Sequence, residues 1–286
     1  MFKEGKVLLA TDFSETAEKL IECLEDFKKI GIDEILLTHI VDVRKSGGSA
    51  VSFKKNNEKK LSKVKKTVEA LDFKASIRVE IGHPDNEIIS IAEEENCDLI
   101  LMASHGGGII KQIFLGSTTY NVMRKTTIPI FIEKYKNIES KNFEIACRHK
   151  LDSVLLPIDF SDCTEDVLGM IKKMNYRSEE IILASIIESS DNLEELNEQK
   201  VTAEAKLEEI SEELSQNNVS NEISIEVRNG AASQNIIEIA EEKDAGLIIM
   251  STRGSGFMEG ILVGSTADEV ARRSPVPVLL VPCKNK

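Results

Sequence analysis

The 286-residue sequence contains no window of the roughly 18 uninterrupted apolar residues that a membrane-crossing helix needs. Its opening, MFKEGKVLLATDFS, lacks the basic end, apolar stretch and cleavage site of a secretory leader. A cytoplasmic protein without a membrane partner is therefore expected. Cysteine is scarce: Cys23, Cys97, Cys147, Cys163 and Cys283 form no CxxC and are odd in number. Such usage fits reduced, buried thiols better than a disulfide framework, and it argues against structural zinc. Cys147 and His149 make one CxH pair, too little for a metal, so no metal site is expected. Basic residues are also in deficit, 36 Lys and Arg against 49 Asp and Glu, for a net charge of −13. Residues 1–135 carry 20 basic and 21 acidic side chains, and residues 136–286 carry 16 and 28. The acidic second half would repel a phosphate backbone, so no nucleic-acid partner is expected. The basic cluster KKNNEKKLSKVKK (54–66) and the acidic stretch from 191 onward read as solvated helix faces, with mutual attraction or separate partners as the sharper alternative.

What is present is a globular balance, 41% hydrophobic and 30% charged, and a long internal repeat. VLLATDFS at 7–14 recurs as VLLPIDFS at 154–161, an offset of 147. SHGGGIIKQIFLGST at 104–118 recurs as TRGSGFMEGILVGST at 252–266, an offset of 148. Gly82 with Gly230, EIISIAEEE with NIIEIAEEK, and Pro129 with Pro277 hold the second register. A period this long is a duplicated domain, with boundaries expected at 1–135, a polar linker at 136–150, and 151–286.

Each half alternates strands with helices. KVLLAT, EILLTHIVDV, SIRVEIG, DLILMAS and IPIFIE read as strands of the first half. TAEKLIECLEDFKKI, about 57–70, DNEIISIAEEEN and TTYNVMRKT read as helices, with Ser14 able to cap the first. The second half repeats the order, from VLLPID to VPVLLVP. Apolar strands separated by helices imply a parallel sheet with right-handed crossovers, an α/β fold in two copies.

In such sheets ligands bind beyond the carboxyl ends of the strands, where strand order reverses. Asp12 and Asp159 close the first strand of each half, where a carboxylate could accept hydrogen bonds from a base or ribose or hold a cation. Helix capping is an equal reading of either Asp taken alone. Glycine-rich loops after the fourth strand point to the same end and lead into Gly116-Ser117-Thr118 and Gly264-Ser265-Thr266. Glycine permits close backbone approach, and N–H groups ahead of a helix make an anion site. A turn with ordinary serine caps is the plainer alternative. Neither half has the Gly-Lys of a Walker loop, and the glycines follow the fourth strand rather than the first, so P-loop hydrolysis and NAD binding are unsupported. His105 reads as an exposed loop side chain, and His39 as a satisfied strand-end histidine. Arg253 is balanced between an exposed loop and a phosphate partner.

The combined spacing resembles that of universal stress protein domains. Their signature is a strand ending in Asp and later a small residue, two residues, Gly, nine residues, Gly, then Ser or Thr. The first half supplies Ala103, Gly106, GGIIKQIFL, Gly116 and Ser117, and the second Ser251, Gly254, SGFMEGILV, Gly264 and Ser265. Ala103 and Ser251 depart from the glycine that often opens the nucleotide-binding version. The resemblance implies two repeated, doubly wound, five-stranded domains that are Rossmann-like and adenine nucleotide alpha hydrolase-like. It implies AMP or ATP as ligand, with Mg accompanying ATP. One site is implied at Ala10, Thr11, Asp12, Ile40, Met102, Ala103, Gly106, Gly116, Ser117 and Thr118. The other is implied at Pro157, Ile158, Asp159, Ile186, Met250, Ser251, Arg253, Gly254, Gly264, Ser265 and Thr266. It further implies pairing through the last strands, an intramolecular pseudo-dimer, with a homodimer and an unidentified protein partner also open. The expectation is a regulatory stress-response module rather than an enzyme. The alternatives are a slow metal-dependent ATP hydrolase, for which no general base stands out, and a nucleotide-free scaffold.

Overall fold

The computed structural model describes residues 5–105, 115–136, 144–147, 149–174, 176–188, 192–254 and 263–283. Gly106 lies outside them. The chain divides into two compact units, Phe2–Glu144 and Ile145–Lys286.

In the first unit, β1 (Gly5–Ala10) leads to α1 (Glu15–Lys19), a 3-10 turn at Leu20–Cys23, and α2 (Leu24–Lys29). Then come β2 (Ile32–Asp42), α3 (Val43–Ser46), α4 (Ala50–Ala70), β3 (Lys74–Gly82) and α5 (Pro84–Glu94). β4 (Leu99–Ala103), α6 (Ser117–Lys125), β5 (Ile130–Glu133) and the short β6 (Tyr135–Lys136) complete it. The strands lie in the order β5-β4-β1-β2-β3, every described pairing parallel. Val7, Leu8, Leu37, Ile100 and Leu101 have zero exposure, because helices cover both faces of the central strands.

The second unit repeats this plan after the short β7 (Glu144–Ile145). Its elements are β8 (Ser153–Pro157), α7 (Cys163–Lys173), β9 (Ser178–Ile187), α8 (Leu193–Gln216) and β10 (Ser220–Asn229). They continue with α9 (Ala232–Glu242), β11 (Leu247–Ser251), α10 (Ser265–Arg273) and β12 (Val278–Val281). The order β10-β9-β8-β11-β12 is again parallel throughout its described pairings. The fold is α/β, twice over.

The duplication extends to backbone conformation. Asp72 and Asn218 follow α4 and α8, and Asn96 and Asp244 follow α5 and α9, all with positive φ. Left-handed residues of this kind end helices by turning the chain away. Phe13 and Phe160 are the remaining positive-φ pair among the described non-glycine residues, and they end no helix.

Three expectations need correction. The first helix is not continuous: its middle tightens to a 3-10 turn that carries Cys23, whose thiol donates to Glu133 Oε2 at 2.9 Å. α4 begins at Ala50, seven residues before the position that periodicity indicates. Only Leu61 and Val68 of it are buried, while Val51 and Phe53 are exposed, so its first turns have no apolar stripe to read. The cysteines are not all thiols either. Cys163 and Cys283 are disulfide-bonded across 120 residues, because α7 begins beside the segment that follows β12. Cys23, Cys97 and Cys147 carry no disulfide, and burial pushes the Cys97 thiol up to about 11.

Candidate functional site

Strand order reverses between β1 and β4 in the first unit, and β2 outruns β1 there. β1 ends at Ala10, which pairs with Thr38, and the last backbone bond between these chain segments is Thr11 N to Thr38 O at 2.9 Å. In a parallel ladder alternate residues point to the same neighbouring strand, so Ile40 faces the side where β1 has already stopped. A cleft of about 870 Å³ opens at this point. Ala10, Thr11, Asp12, Ile40, Met102, Ala103, Gly116, Ser117 and Thr118 all line it. Every described member of the first implied site is thus brought together. The cleft is also lined by residues that spacing did not single out: Phe53, Asn57, Ile88 and Arg44.

The β1–α1 connection is held as a preformed hook. Asp12 is exposed, and its Oδ1 accepts the Ser14 N–H at 2.9 Å. Ser14 is the N-cap of α1, accepting from Ala17 N, so capping falls to the serine and Asp12 closes the turn before it. Phe13 between them has φ 62°, a conformation costly for a bulky side chain. Its ring lies 4.5 Å from the His39 ring, centroid to centroid, and Lys60 of α4 sits 5.1 Å above it. His39 Nδ1 contacts Thr11 O at 2.8 Å and Nε2 contacts Asn57 Nδ2 at 2.9 Å. A carbonyl only accepts and an amide nitrogen only donates, so the proton belongs on Nδ1. Burial pulls the His39 pKa below its usual value, in keeping with a satisfied strand-end histidine. At the mouth of the cleft Asp42 caps α3 and pairs with Arg44 at 2.7 Å, whose hydrogen bonds hold that carboxyl down to about 2.

The glycine-led helices complete the geometry. Gly116 is the N-cap of α6, and its N–H donates to Ser104 O at 2.7 Å, folding the chain back onto the end of β4. Thr119 Oγ1 donates to Ala103 O at 2.9 Å from the first turn. Gly116, as N-cap, has no side chain to cap α6, so among the described residues its leading N–H groups face the cleft without a side-chain cap from that position. Ser117 is exposed there.

The second unit keeps the same frame. Ile158 N donates to Ala184 O at 2.7 Å, beyond which Ile186 faces the side where β8 has ended at Pro157. Asp159 Oδ1 accepts from Ser161 N at 3.1 Å, Ser161 Oγ at 2.7 Å and Thr164 Oγ1 at 3.5 Å. Phe160 has φ 58°, and Lys206 of α8 sits 5.0 Å above its ring. Gly264 donates its N–H to Thr252 O at 2.7 Å and caps α10, whose first turn holds Ser265 and Thr266. Ser251 Oγ donates to Arg253 O, tightening the turn after Met250 at the end of β11. Gly254 is drawn against the Asp159 carboxylate, which joins two of the sequence candidates directly.

His105 differs from expectation, and one of the two alternatives for Arg253 falls. His105 is buried rather than exposed, at 7% exposure: Ser104 Oγ lies 2.9 Å from its Nδ1, and its carbonyl accepts from Thr16 Oγ1 at 2.8 Å. Arg253, at the matching position, is also buried, so the exposed-loop alternative fails for both. Nothing in the spacing marked Asn57 or the Phe13 and Phe160 bends, which depend on contacts made by the long helices.

The universal stress protein family model matches residues 4–134 and again 150–282. The chain belongs to the universal stress protein family. A universal stress protein of Methanocaldococcus jannaschii is 34% identical over 155 residues, 46% of this chain and 96% of its own length. One from Synechocystis is 32% identical over 125 residues, 44% of this chain and 41% of its own. The crystal structure of a universal stress protein from Archaeoglobus fulgidus has a TM-score of 0.77 at 28% identity, covering 99% of this chain and 100% of its own. The family therefore accounts for both copies of the fold, and the long helices α4 and α8 fall inside the matched ranges.

Proposed function

We propose that each half binds an adenine nucleotide, AMP or ATP, and that the chain acts as a cytoplasmic regulatory module in a stress response rather than as an enzyme. The observation carrying this reading is the convergence, in one cleft, of Asp12, the open edge of β2 at Ile40 and the glycine-led N-terminus of α6. Each feature suits a different part of the ligand. An aromatic base fits between Ile40, Ile88 and Met102, with the β2 backbone offering donor and acceptor to its edge. Asp12 suits ribose hydroxyls, and the amides at Gly116, Ser117 and Thr118 suit phosphates.

Gly264 supports the same reading in the second unit. Its φ of −71° suits any residue, and among the described residues an added Cβ would meet nothing nearer than Thr252 O at 3.6 Å. The described surroundings do not demand glycine there, whereas close approach of a phosphate does. A Mg ion arriving with ATP would rely mainly on the phosphates, since no three His, Cys, Asp or Glu side chains converge among the described residues.

The test is mass analysis of small molecules released by denaturing freshly purified protein, followed by calorimetric titration with AMP and ATP. One or two equivalents of bound nucleotide per chain is the expected result. An empty protein that also fails to take up either nucleotide would reject the reading and favour a nucleotide-free scaffold. Metal-dependent phosphate release above that of an Asp12→Asn, Asp159→Asn control would favour the hydrolase.

A further inference from the structure

The first unit ties the opening turn of its first helix to the chain just after β5, the last strand of its main sheet. Tyr135 Oη donates to the Thr16 carbonyl at 2.7 Å, and burial pushes the Tyr135 pKa well up, so the phenol keeps its proton. The repeat offsets of 147 and 148 place Cys163 opposite Thr16 and Cys283 opposite Tyr135. In the second unit the same tie is the Cys163–Cys283 disulfide, with the two Cα atoms 5.0 Å apart. One copy uses a hydrogen bond and the other a covalent bond that a reductant can open.

We propose that Cys163 and Cys283 form a reversible thiol–disulfide site that controls the Asp159 loop, making the ligand site of the second unit redox-responsive and leaving the first unresponsive. The ligand named here rests on the nucleotide reading above, while the thiol chemistry does not.

The connection to the site is short. Thr164 follows Cys163, donates Oγ1 to Asp159 Oδ1 at 3.5 Å and donates its N–H to Ser161 O at 2.9 Å. Asp159 in turn lies against Gly254. Fixing Cys163 therefore fixes the first turn of α7 and, through Thr164, the carboxylate. Exposure decides which sulfur reacts, since Cys163 is buried and Cys283 is partly exposed. A thiolate of a dithiol reductant attacks Cys283 Sγ, the S–S bond breaks, and Cys163 leaves as a thiolate that takes up a proton. The second thiol of the reductant resolves the mixed disulfide, releasing Cys283 as a thiol and the reductant as a cyclic disulfide. In the reverse direction a low-molecular-weight disulfide accepts the two electrons and departs as two thiols.

The full chain is compared with and without dithiothreitol. Peptide mapping of the untreated, alkylated protein should recover Cys163 and Cys283 in one linked species. Reduction should speed amide exchange in the first turn of α7 by about fivefold or more, leave α1 unchanged, and weaken AMP or ATP binding at one of two sites by a similar factor. The Cys163→Ser, Cys283→Ser double variant should behave as the reduced protein and ignore the reductant. Absence of the linked peptide, or equal exchange in both redox states, would overturn the proposal. Should α7 respond while neither redox state binds nucleotide, the ligand named here and the reading it rests on both fall, while the redox site stands.

Discussion

A Cβ atom placed on Gly254 would lie 2.5 Å from Asp159 Oδ2. The third residue after the fourth strand of the second unit thus lies against the carboxylate after its first strand, across the point where strand order reverses. Gly254→Ala requires Asp159 Oδ2 to shift, and the other oxygen of the same carboxylate accepts from Ser161 and Thr164. Nucleotide binding at this half is expected to weaken about tenfold, or ~1.4 kcal/mol, as read by calorimetry.

Gly264 provides the contrast. Its backbone is ordinary, and a methyl group there meets no described atom nearer than 3.6 Å. Gly264→Val is expected to alter stability by less than about 0.5 kcal/mol in urea unfolding while abolishing nucleotide binding at the second half. Gly116→Val should do the same at the first. Unchanged affinity in both variants and in their combination would remove the glycine loops from the site.

The Cys163–Cys283 bond closes most of the second unit into a loop whose ends are 120 positions apart in sequence. Opening it enlarges the conformational freedom of the unfolded chain. Reduction is expected to cost about 3 kcal/mol of stability, visible as a lower urea midpoint. The corresponding change in the first unit is smaller: Tyr135→Phe removes one buried hydrogen bond, worth about 1 kcal/mol.

His39 makes folding sensitive to acid. Burial lowers its pKa from 6.5, with the Lys60 charge adding to the effect and Asp12 and the Thr11 carbonyl opposing it. The unfolded chain therefore binds the proton more readily than the folded one. Stability is fully retained above the unfolded value and declines as pH falls below 6.5 toward the folded value. Protonation also turns Nε2 into a donor facing the Asn57 amide nitrogen. The midpoint of thermal unfolding should fall between about pH 7.5 and pH 5.5, and by less in His39→Gln.

Much of this was legible in the sequence for physical reasons. Strands buried on both faces must be apolar throughout, so VLLA and LILMA declare themselves. Asp12 with Asp159, and Gly116 with Gly264, declare themselves by recurring in register between the two halves. Other features depend on which surfaces meet in space. Cys163 and Cys283 show no local pattern, since their proximity is created by the sheet between them. His105 looks like a loop residue by its neighbours, yet Ser104 and Thr16 enclose it. The first turns of α4 rest on exposed residues, where amphipathic periodicity carries no signal.

The left-handed bends at Phe13 and Phe160 have a kinetic consequence. Each is a strained conformation, held in place by the stacked lysine of a long helix and by the turn closed on Asp12 or Asp159. The two Asp residues are therefore held at exposed positions in the free protein, and a ligand meets a hook already set. Little chain entropy is left to lose on capture, so association should proceed at the rate of encounter, in a single phase with no slow rearrangement following it.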